Sequence, residues 1–168
     1  MTSTKLNNPK RSPLGWYGLS LFVIVADQIT KHLIINRFDL YDRVAVLPFF
    51  DLVRAHNPGA AFSFLSDAGG WQRIFFVSIS SVVSLVLVVW IYRLESRQKM
   101  QTLGLALVLG GALGNLYDRV AYGYVVDFLL FYYDQYSFPA FNVADSAITV
   151  GAFFLIVDMI KNPQAGKP

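Results

Sequence analysis

Two aspartates in the last third of the chain stand among apolar residues. Asp127 lies in the segment "VVDF" at 125–128, and Asp145 lies in "FNVADS" at 141–146. Ionisable side chains in such surroundings are costly and commonly have a function. Two carboxyl groups brought close in a low-dielectric site cannot both ionise, so they share one proton. Such a pair can activate a water molecule and protonate a leaving amine, which predicts acid–base hydrolysis.

Asn142 lies three residues before Asp145, at the start of an apolar run. Either side chain can cap a helix at this point by accepting backbone N–H groups, which is a purely structural role. If Asn142 is the cap, Asp145 lies one turn inside the helix and faces the neighbouring helices. Asp127 is then a second carboxylate within reach.

The composition is that of a membrane protein. Of the 168 residues, 55% are hydrophobic and only 15% are charged, which is outside the range of soluble domains. Four apolar runs, at 14–35, 74–92, 102–117 and 143–160, are each close to the roughly 20 residues that span a bilayer as a helix. We therefore expect one mainly α membrane domain over 1–168, with four transmembrane helices. The tails at 1–13 and 161–168 are polar.

The basic residues predict the orientation of these helices. If the amino terminus is cytoplasmic, eight of the 14 Lys and Arg residues fall on that side, three of them in the short loop at 93–100. This bias favours a cytoplasmic location for both termini. The polar residues of the helices then gather at the outer membrane boundary, near Asp127. They are Asp27, Lys31, Asn115, Asp118, Arg119, Asn142 and Asp145.

Several of these residues also have simple structural interpretations. Asp27 and Lys31 are four residues apart, so they form either an intrahelical ion pair with a snorkelling lysine or the support of a site. The glycines of "GGALG" at 110–114 form a small-residue motif that lets another helix pack closely. Asp118 and Arg119 are adjacent and are interpreted as an ion pair at the interface.

The sequence has few of the residues that a metal site, a serine nucleophile or a nucleic acid site would need. The chain has no cysteine, and its two histidines, His32 and His56, lie far apart in sequence, so a zinc site has few ligands. No histidine lies near Ser146 to activate it as a nucleophile. The net charge of +3 is spread around the membrane flanks, which disfavours nucleic acid binding. We expect no metal, no cofactor and no nucleic acid partner.

The first outer connection, at 36–73, is long. Its segment "RFDLYDRV" at 37–44 has the spaced apolar residues of a short amphipathic surface helix. The next segment, "VAVLPFFDLVRAHNPGAAFSFL" at 44–65, indicates short β segments around a turn at Asn57, Pro58 and Gly59. The alternative is a passive loop that rests on the membrane.

Five motifs resemble one known family. They are "ADQITK" at 26–31, "NPGAAFSFL" at 57–65, "GGALGNLYDR" at 110–119, "VVDF" at 125–128 and "FNVADS" at 141–146. Together they are similar to the bacterial lipoprotein signal peptidases, also called signal peptidase II. The resemblance covers residues 15–159, and the motifs occur in the same order with similar spacing.

The resemblance implies an aspartic intramembrane protease of the bacterial inner membrane, with Asp127 and Asp145 as the catalytic pair near the outer face. It implies removal of the signal peptide from prolipoproteins just before the diacylglyceryl-modified cysteine, with prolipoproteins and membrane lipids as partners. It also implies a small β cradle built from the first outer loop. The family's other motif positions around the site are matched by Asp27, Lys31, Asn57, Gly59, Gly111, Asn115, Arg119, Asn142 and Ala144.

Two other kinds of protein compete with this interpretation. A small proton-coupled transporter or channel would use the same carboxylates as a relay. Against it, the polar residues cluster at one boundary, and the helices show no inverted repeat. A membrane scaffold without activity would leave the paired carboxylates unexplained.

Overall fold

The computed structural model of the chain describes residues 12–59, 71–95 and 97–162. Within this part of the chain there are four helices and four strands. In chain order they are α1 (Leu14–Arg37), β1 (Arg43–Leu47), β2 (Phe50–Asn57), α2 (Trp71–Arg93), α3 (Lys99–Ala121), β3 (Val125–Tyr133), β4 (Tyr136–Ser137) and α4 (Val143–Lys161).

The four helices are long and apolar enough to cross a membrane. Mean hydropathy over the most apolar 18 residues ranges from 1.2 in α3 to 2.7 in α2. Half of that stretch is buried in α3, against 17% in α2 and in α4, so α3 is the central helix of the bundle. The prediction of a mainly α membrane protein with four spanning helices and a small β cradle is confirmed. α3 is longer than its apolar run, since it continues to Ala121 through the polar residues Asp118 and Arg119.

Glycines of α3 let α1 and α4 approach this helix closely. A Cβ atom on Gly110 would lie 2.8 Å from the carbonyl oxygen of Ser20 in α1. One on Gly111 would lie 2.3 Å from the carbonyl oxygen of Ala144 in α4. The predicted packing role of the glycine motif is confirmed, because any side chain at these positions would push a neighbouring backbone away.

The strands form one antiparallel sheet in the order β1-β2-β3-β4. β1 and β2 confirm the β segments predicted after residue 43. The predicted amphipathic helix at 37–44 is wrong. α1 ends at Arg37, and a turn follows in which the carboxylate of Asp42 accepts the backbone N–H of Asp39 at 2.8 Å. The chain then enters β1. Residues 60–70 of the predicted outer loop lie outside the described part of the chain.

No strand was predicted around Asp127, yet this residue lies in β3, which is an interior strand of the sheet. Val125–Tyr133 is rich in β-branched and aromatic residues, which is the composition of a strand. Ala55 of β2 pairs with Asp127. The missed strand matters, because it gives one of the two carboxylates a rigid backbone.

The sheet packs against one end of the bundle, which we call the sheet end. Val126 and Phe128 of β3 form a buried cluster with Ile34 of α1. Arg54 of β2 donates from Nη1 to the carbonyl oxygens of Ile35 and Phe38, at 3.3 and 2.9 Å. These bonds satisfy carbonyl groups at the end of α1 and fix the sheet to the bundle.

Candidate active site

α4 begins with a capping box that fixes the position of Asp145. Asn142 is the N-cap, and its Oδ1 accepts the backbone N–H of Asp145 at 2.9 Å. In return, the carboxylate of Asp145 accepts the backbone N–H of Asn142 at 3.3 Å. Capping is therefore shared between the two residues. Asp145 is held in the first turn of α4, and the amide nitrogen of Asn142 remains available for other acceptors.

That amide nitrogen binds the other carboxylate. Asn142 Nδ2 donates to Asp127 Oδ1 at 2.7 Å. Asp127 is 3% exposed, and its second oxygen accepts a hydrogen bond from Asn57 Nδ2 at 3.0 Å. Asn57 is the last residue of β2, next to β3 in the sheet. Asp127 is thus fixed by the sheet on one side and by α4 on the other.

Asn115 of α3 orients Asp145 through its side-chain amide. Its Nδ2 donates to Asp145 Oδ1 at 2.8 Å. Its Oδ1 accepts from Lys31 Nζ at 3.0 Å and from Asn142 Nδ2 at 3.2 Å. Because an ammonium group can only donate, Lys31 fixes the amide with its oxygen towards α1 and its NH2 group towards Asp145.

Lys31 is buried and connects α1 to α3. Its Nζ lies 2.8 Å from a carboxylate oxygen of Asp27 and 2.8 Å from one of Asp118. With Asn115 as the third acceptor, the three ammonium hydrogens are all used. The intrahelical ion pair with Asp27, which was one of the two interpretations of this spacing, is present. Snorkelling does not occur, since the side chain is only 2% exposed.

Asp118 is a member of this network that the sequence analysis misassigned. It was interpreted as an interfacial partner of Arg119, but its side chain is fully buried and pairs with Lys31. It also accepts from Gln28 Nε2 at 2.8 Å and from the backbone N–H of Val126 at 3.2 Å. Val126 directly precedes Asp127, so Asp118 holds the strand that carries the carboxylate. The spacing of Asp118 from Asn115 on α3 was the signal that could have found it.

Small residues and Asp27 bring α4 close to the other helices. The backbone N–H of Ala144 donates to Asp27 Oδ1 at 2.9 Å. Ala144 is completely buried, and its carbonyl oxygen lies against Gly111 of α3. An acidic group at the start of a helix is favourable, because it satisfies a free N–H group and complements the helix dipole. These contacts fix the first turn of α4, where Asp145 lies.

Arg119 brings a cation to the same end of the bundle. Its Nη1 donates to the carbonyl oxygen of Asn115 at 3.3 Å, and its guanidinium lies 5.2 Å from the centre of the Phe76 ring. The positive charge attracts both Asp145 and Asp127. Its Nε is buried and has no partner within the described part of the chain.

Burial and charge change the acidity of Asp127. Burial first, and then the negative charge of Asp145, raise the pKa of Asp127 to about 7. The hydrogen bonds from Asn57 and Asn142 and the charge of Lys31 act in the opposite direction. Asp127 therefore holds a proton at mildly acidic pH, where an ordinary aspartate is ionised. A carboxyl group that keeps its proton in such a site can act as a general acid.

Every residue predicted for the site lies in this network or packs directly against it. Gly59 is connected to it by its backbone N–H, which donates to Asn57 Oδ1 at 2.9 Å. Residues that the sequence analysis did not place in the site are Gln28, Phe76 and Asp118.

Comparisons with known proteins agree on one family. The family model for signal peptidase (SPase) II matches residues 19–161. A lipoprotein signal peptidase of Ectopseudomonas mendocina (strain ymp) is 51% identical over 156 residues, which is 92% of this chain and 92% of that protein. One of Pseudomonas syringae pv. tomato is 48% identical over 169 residues, covering 99% and 98%. A solved bacterial membrane enzyme is 32% identical with a TM-score of 0.81, covering 92% of this chain and 98% of that one.

The fold, the site and these likenesses define a multi-pass bacterial membrane hydrolase, an aspartic-type peptidase. The matched region runs from α1 to the last residue of α4 and includes the whole sheet. The chain belongs to the signal peptidase II family.

Proposed function

We propose that the chain cleaves the signal peptide from lipid-modified prolipoproteins just before the diacylglyceryl-cysteine, with Asp127 and Asp145 as the catalytic dyad. The observation that carries this proposal is the double role of Asn142. Its side chain binds Asp127 at 2.7 Å, and its backbone N–H binds Asp145 at 3.3 Å. One residue therefore holds both carboxylates, and the charge of one raises the pKa of the other.

The dyad performs hydrolysis with one shared proton. Asp127 carries this proton in the resting enzyme, because its pKa is raised to about 7. Asp145 takes a proton from the attacking water, whose oxygen bonds to the scissile carbonyl carbon, while Asp127 gives its proton to the carbonyl oxygen. In the second step, Asp145 protonates the leaving nitrogen and the C–N bond breaks. Asp127 recovers its proton from the hydroxyl group, so the dyad returns to its starting state.

The supporting residues act by fixing the carboxylates. The amides of Asn57, Asn115 and Asn142 restrict their orientation, which preorganises the site. Lys31 and Asp27 hold α1 against α3 and α4, while Gly111 and Ala144 allow the close approach that this requires. We assign Arg119 to the substrate side of the dyad, as a cation that anchors the peptide, and Gly59 to the turn that holds Asn57.

We place the site near the outer face of the bacterial inner membrane, with both termini in the cytoplasm. The basic loop between α2 and α3, which contains Arg97 and is flanked by Arg93 and Lys99, lies at the opposite end of the bundle from the sheet. A cytoplasmic basic loop leaves the sheet end outside.

A proton-coupled transporter is not favoured. Among the described residues, the buried ionisable groups of the helices gather at the sheet end, except Asp158 near the end of α4. A relay across the bilayer needs such groups along its length.

The proposal predicts the loss of cleavage when either carboxylate is made neutral. Purified protein incubated with a diacylglyceryl-modified prolipoprotein is expected to give a shortened product, which a transporter or scaffold would not. Asp127→Asn and Asp145→Asn are each expected to lower turnover by about 10² or more, because general acid–base groups contribute about 10² to 10⁴. Both variants should still capture the uncleaved substrate.

Asp134→Asn is the matched control. Asp134 is exposed, lies in the turn between β3 and β4, and has a φ of 53°, which asparagine adopts as readily as aspartate. It should keep full activity. Turnover within about tenfold of wild type in either dyad variant would contradict the proposal, since that is less than such a group contributes.

A further inference from the structure

We propose that Phe76 of α2 is a positioning residue for the cleavage reaction, because its ring holds Arg119 and the turn at 57–59 at the same time. This inference rests on the proposed function. Asp127 lies in β3 and Asp145 in α4, so α2 contributes no member of the dyad. Its contacts nevertheless reach two groups that lie next to the carboxylates.

The first contact is with the side chain of Arg119. Its guanidinium lies 5.2 Å from the centre of the Phe76 ring, within the range of a cation–π interaction. The hydrogen bond to Asn115 at 3.3 Å is long, and the buried Nε has no partner within residues 12–59, 71–95 and 97–162. Within these ranges, the ring face and this long hydrogen bond are the direct contacts that orient the guanidinium.

The second contact is with the turn that supports Asp127. A Cβ atom on Gly59 would lie 2.2 Å from Phe76 Cε2, so the backbone of this residue lies directly on the ring. Gly59 has a φ of 102° and donates its N–H to Asn57 Oδ1, and Asn57 Nδ2 binds Asp127. Removal of the ring would release the turn and loosen one hydrogen bond to the carboxylate.

Arg73, one turn earlier on α2, holds the main chain of the same arginine. Its Nε donates to the carbonyl oxygen of Arg119 at 2.9 Å, and its Nη2 donates to that of Val120 at 2.7 Å. These bonds satisfy carbonyl groups at the end of α3 and complement its dipole. α2 thus fixes the backbone of Arg119 with one residue and the side chain with another.

The charges around Asp127 give this role a measurable signature. Asp145 faces it from α4, Lys31 from α1 and Arg119 from α3. A cation favours the ionised carboxylate, so a guanidinium that swings away leaves Asp127 with its proton up to a higher pH. Loss of the amide bond from Asn57 acts in the same direction. A side chain that only filled space would leave the pH profile unchanged.

The test compares Phe76→Leu with Phe76→Tyr in the full-length enzyme and a lipid-modified prolipoprotein. Phe76→Leu should lower kcat by about tenfold and move the alkaline limb of the kcat profile to higher pH. Phe76→Tyr keeps a ring face and should restore most of kcat and the position of the limb. Phe153→Leu, at a position 62% exposed on α4, is the control that should match wild type.

Arg73→Gln provides a second route, because Arg73 is exposed and its replacement leaves the core intact. It should move the limb in the same direction by a smaller amount. If Phe76→Leu keeps the wild-type kcat and the wild-type position of the alkaline limb, the inference is overturned. If Phe76→Leu fails to fold, the same result in Arg73→Gln overturns it. So does a tyrosine variant as impaired as the leucine one. If one of these results is found while Asp127→Asn is inactive in the same assay, only the role of Phe76 is lost. An active Asp127→Asn would overturn the proposed function itself.

Discussion

At the scale of single residues, Asn142 has more roles than any other side chain of the site. It caps α4, and its amide binds Asp127 and reaches Asn115, all while it is fully buried. A carboxylate in its place could accept hydrogen bonds but could not donate one to Asp127. An amide side chain can therefore do both: its oxygen caps the start of α4, and its NH2 group donates to the neighbouring carboxylate.

The raised pKa of Asp127 predicts how activity depends on pH. A carboxyl group whose pKa is raised to about 7 keeps its proton below that pH and loses it above. Because the dyad needs one proton, we expect kcat to fall as the pH rises through about 7. A kcat profile measured in detergent at saturating prolipoprotein would check this. A profile that stays flat up to pH about 9 would be inconsistent with a shared proton on Asp127.

Removing the charge of Asp145 should also change the pKa of Asp127. In Asp145→Asn, one cause of the raised pKa is removed, so the pKa of Asp127 should fall. The protonated carboxyl band in infrared spectra, followed against pH and assigned with Asp127→Asn, reports this value without any need for turnover. An unchanged titration would mean that the two carboxylates do not interact.

At the scale of elements, α3 is the helix on which the others are assembled. Its glycines face α1 and α4, and its polar residues Asn115, Asp118 and Arg119 face the site. The geometry of the proposed dyad therefore depends on how closely α4 approaches α3.

A side chain at Gly111 should separate these two helices. The Cβ of Gly111→Val would lie 2.3 Å from the carbonyl oxygen of Ala144, and this backbone can only give way by moving the first turn of α4. We expect about 10² or more loss of turnover and a lower melting temperature, since overpacking typically costs about 1 to 3 kcal/mol. Gly18→Val, where a Cβ would meet nothing within 4 Å, is the control. Equal activity of the two variants would show that the spacing of α3 and α4 does not matter.

The elements also show what the sequence could and could not predict. Spanning helices were predictable, because lipid forces an apolar segment to satisfy its backbone locally. β3 was not, because its partner is β2, and the bond from Asn57 to Asp127 joins residues 70 apart in sequence. The burial of Asp118 was missed for the same reason, since its partners Lys31 and Gln28 lie on another helix. Motif resemblance indicated residues that the structure brings together, but not their neighbours Gln28, Phe76 and Asp118.

At the scale of the whole molecule, the polar network occupies one end of the bundle and the basic loop occupies the other. This asymmetry is testable, because the chain has no cysteine of its own. Arg97→Cys and Tyr133→Cys introduce single thiols at positions that are 74% and 83% exposed. An impermeant thiol reagent should label the first only from the cytoplasmic side and the second only from the outer side. Labelling of both from one side would rule out the proposed orientation.

The hydrogen bond from Ala144 to Asp27 joins the last described helix to the first, 117 residues away in sequence. During synthesis, α1 enters the membrane long before α4 exists, and Lys31 can neutralise Asp27 within the same helix in the meantime. Asp145 enters the membrane only with α4, so the proposed dyad is assembled only when α4 inserts. If the proposed dyad is catalytic, a nascent chain without α4 cannot cleave the membrane proteins being made around it.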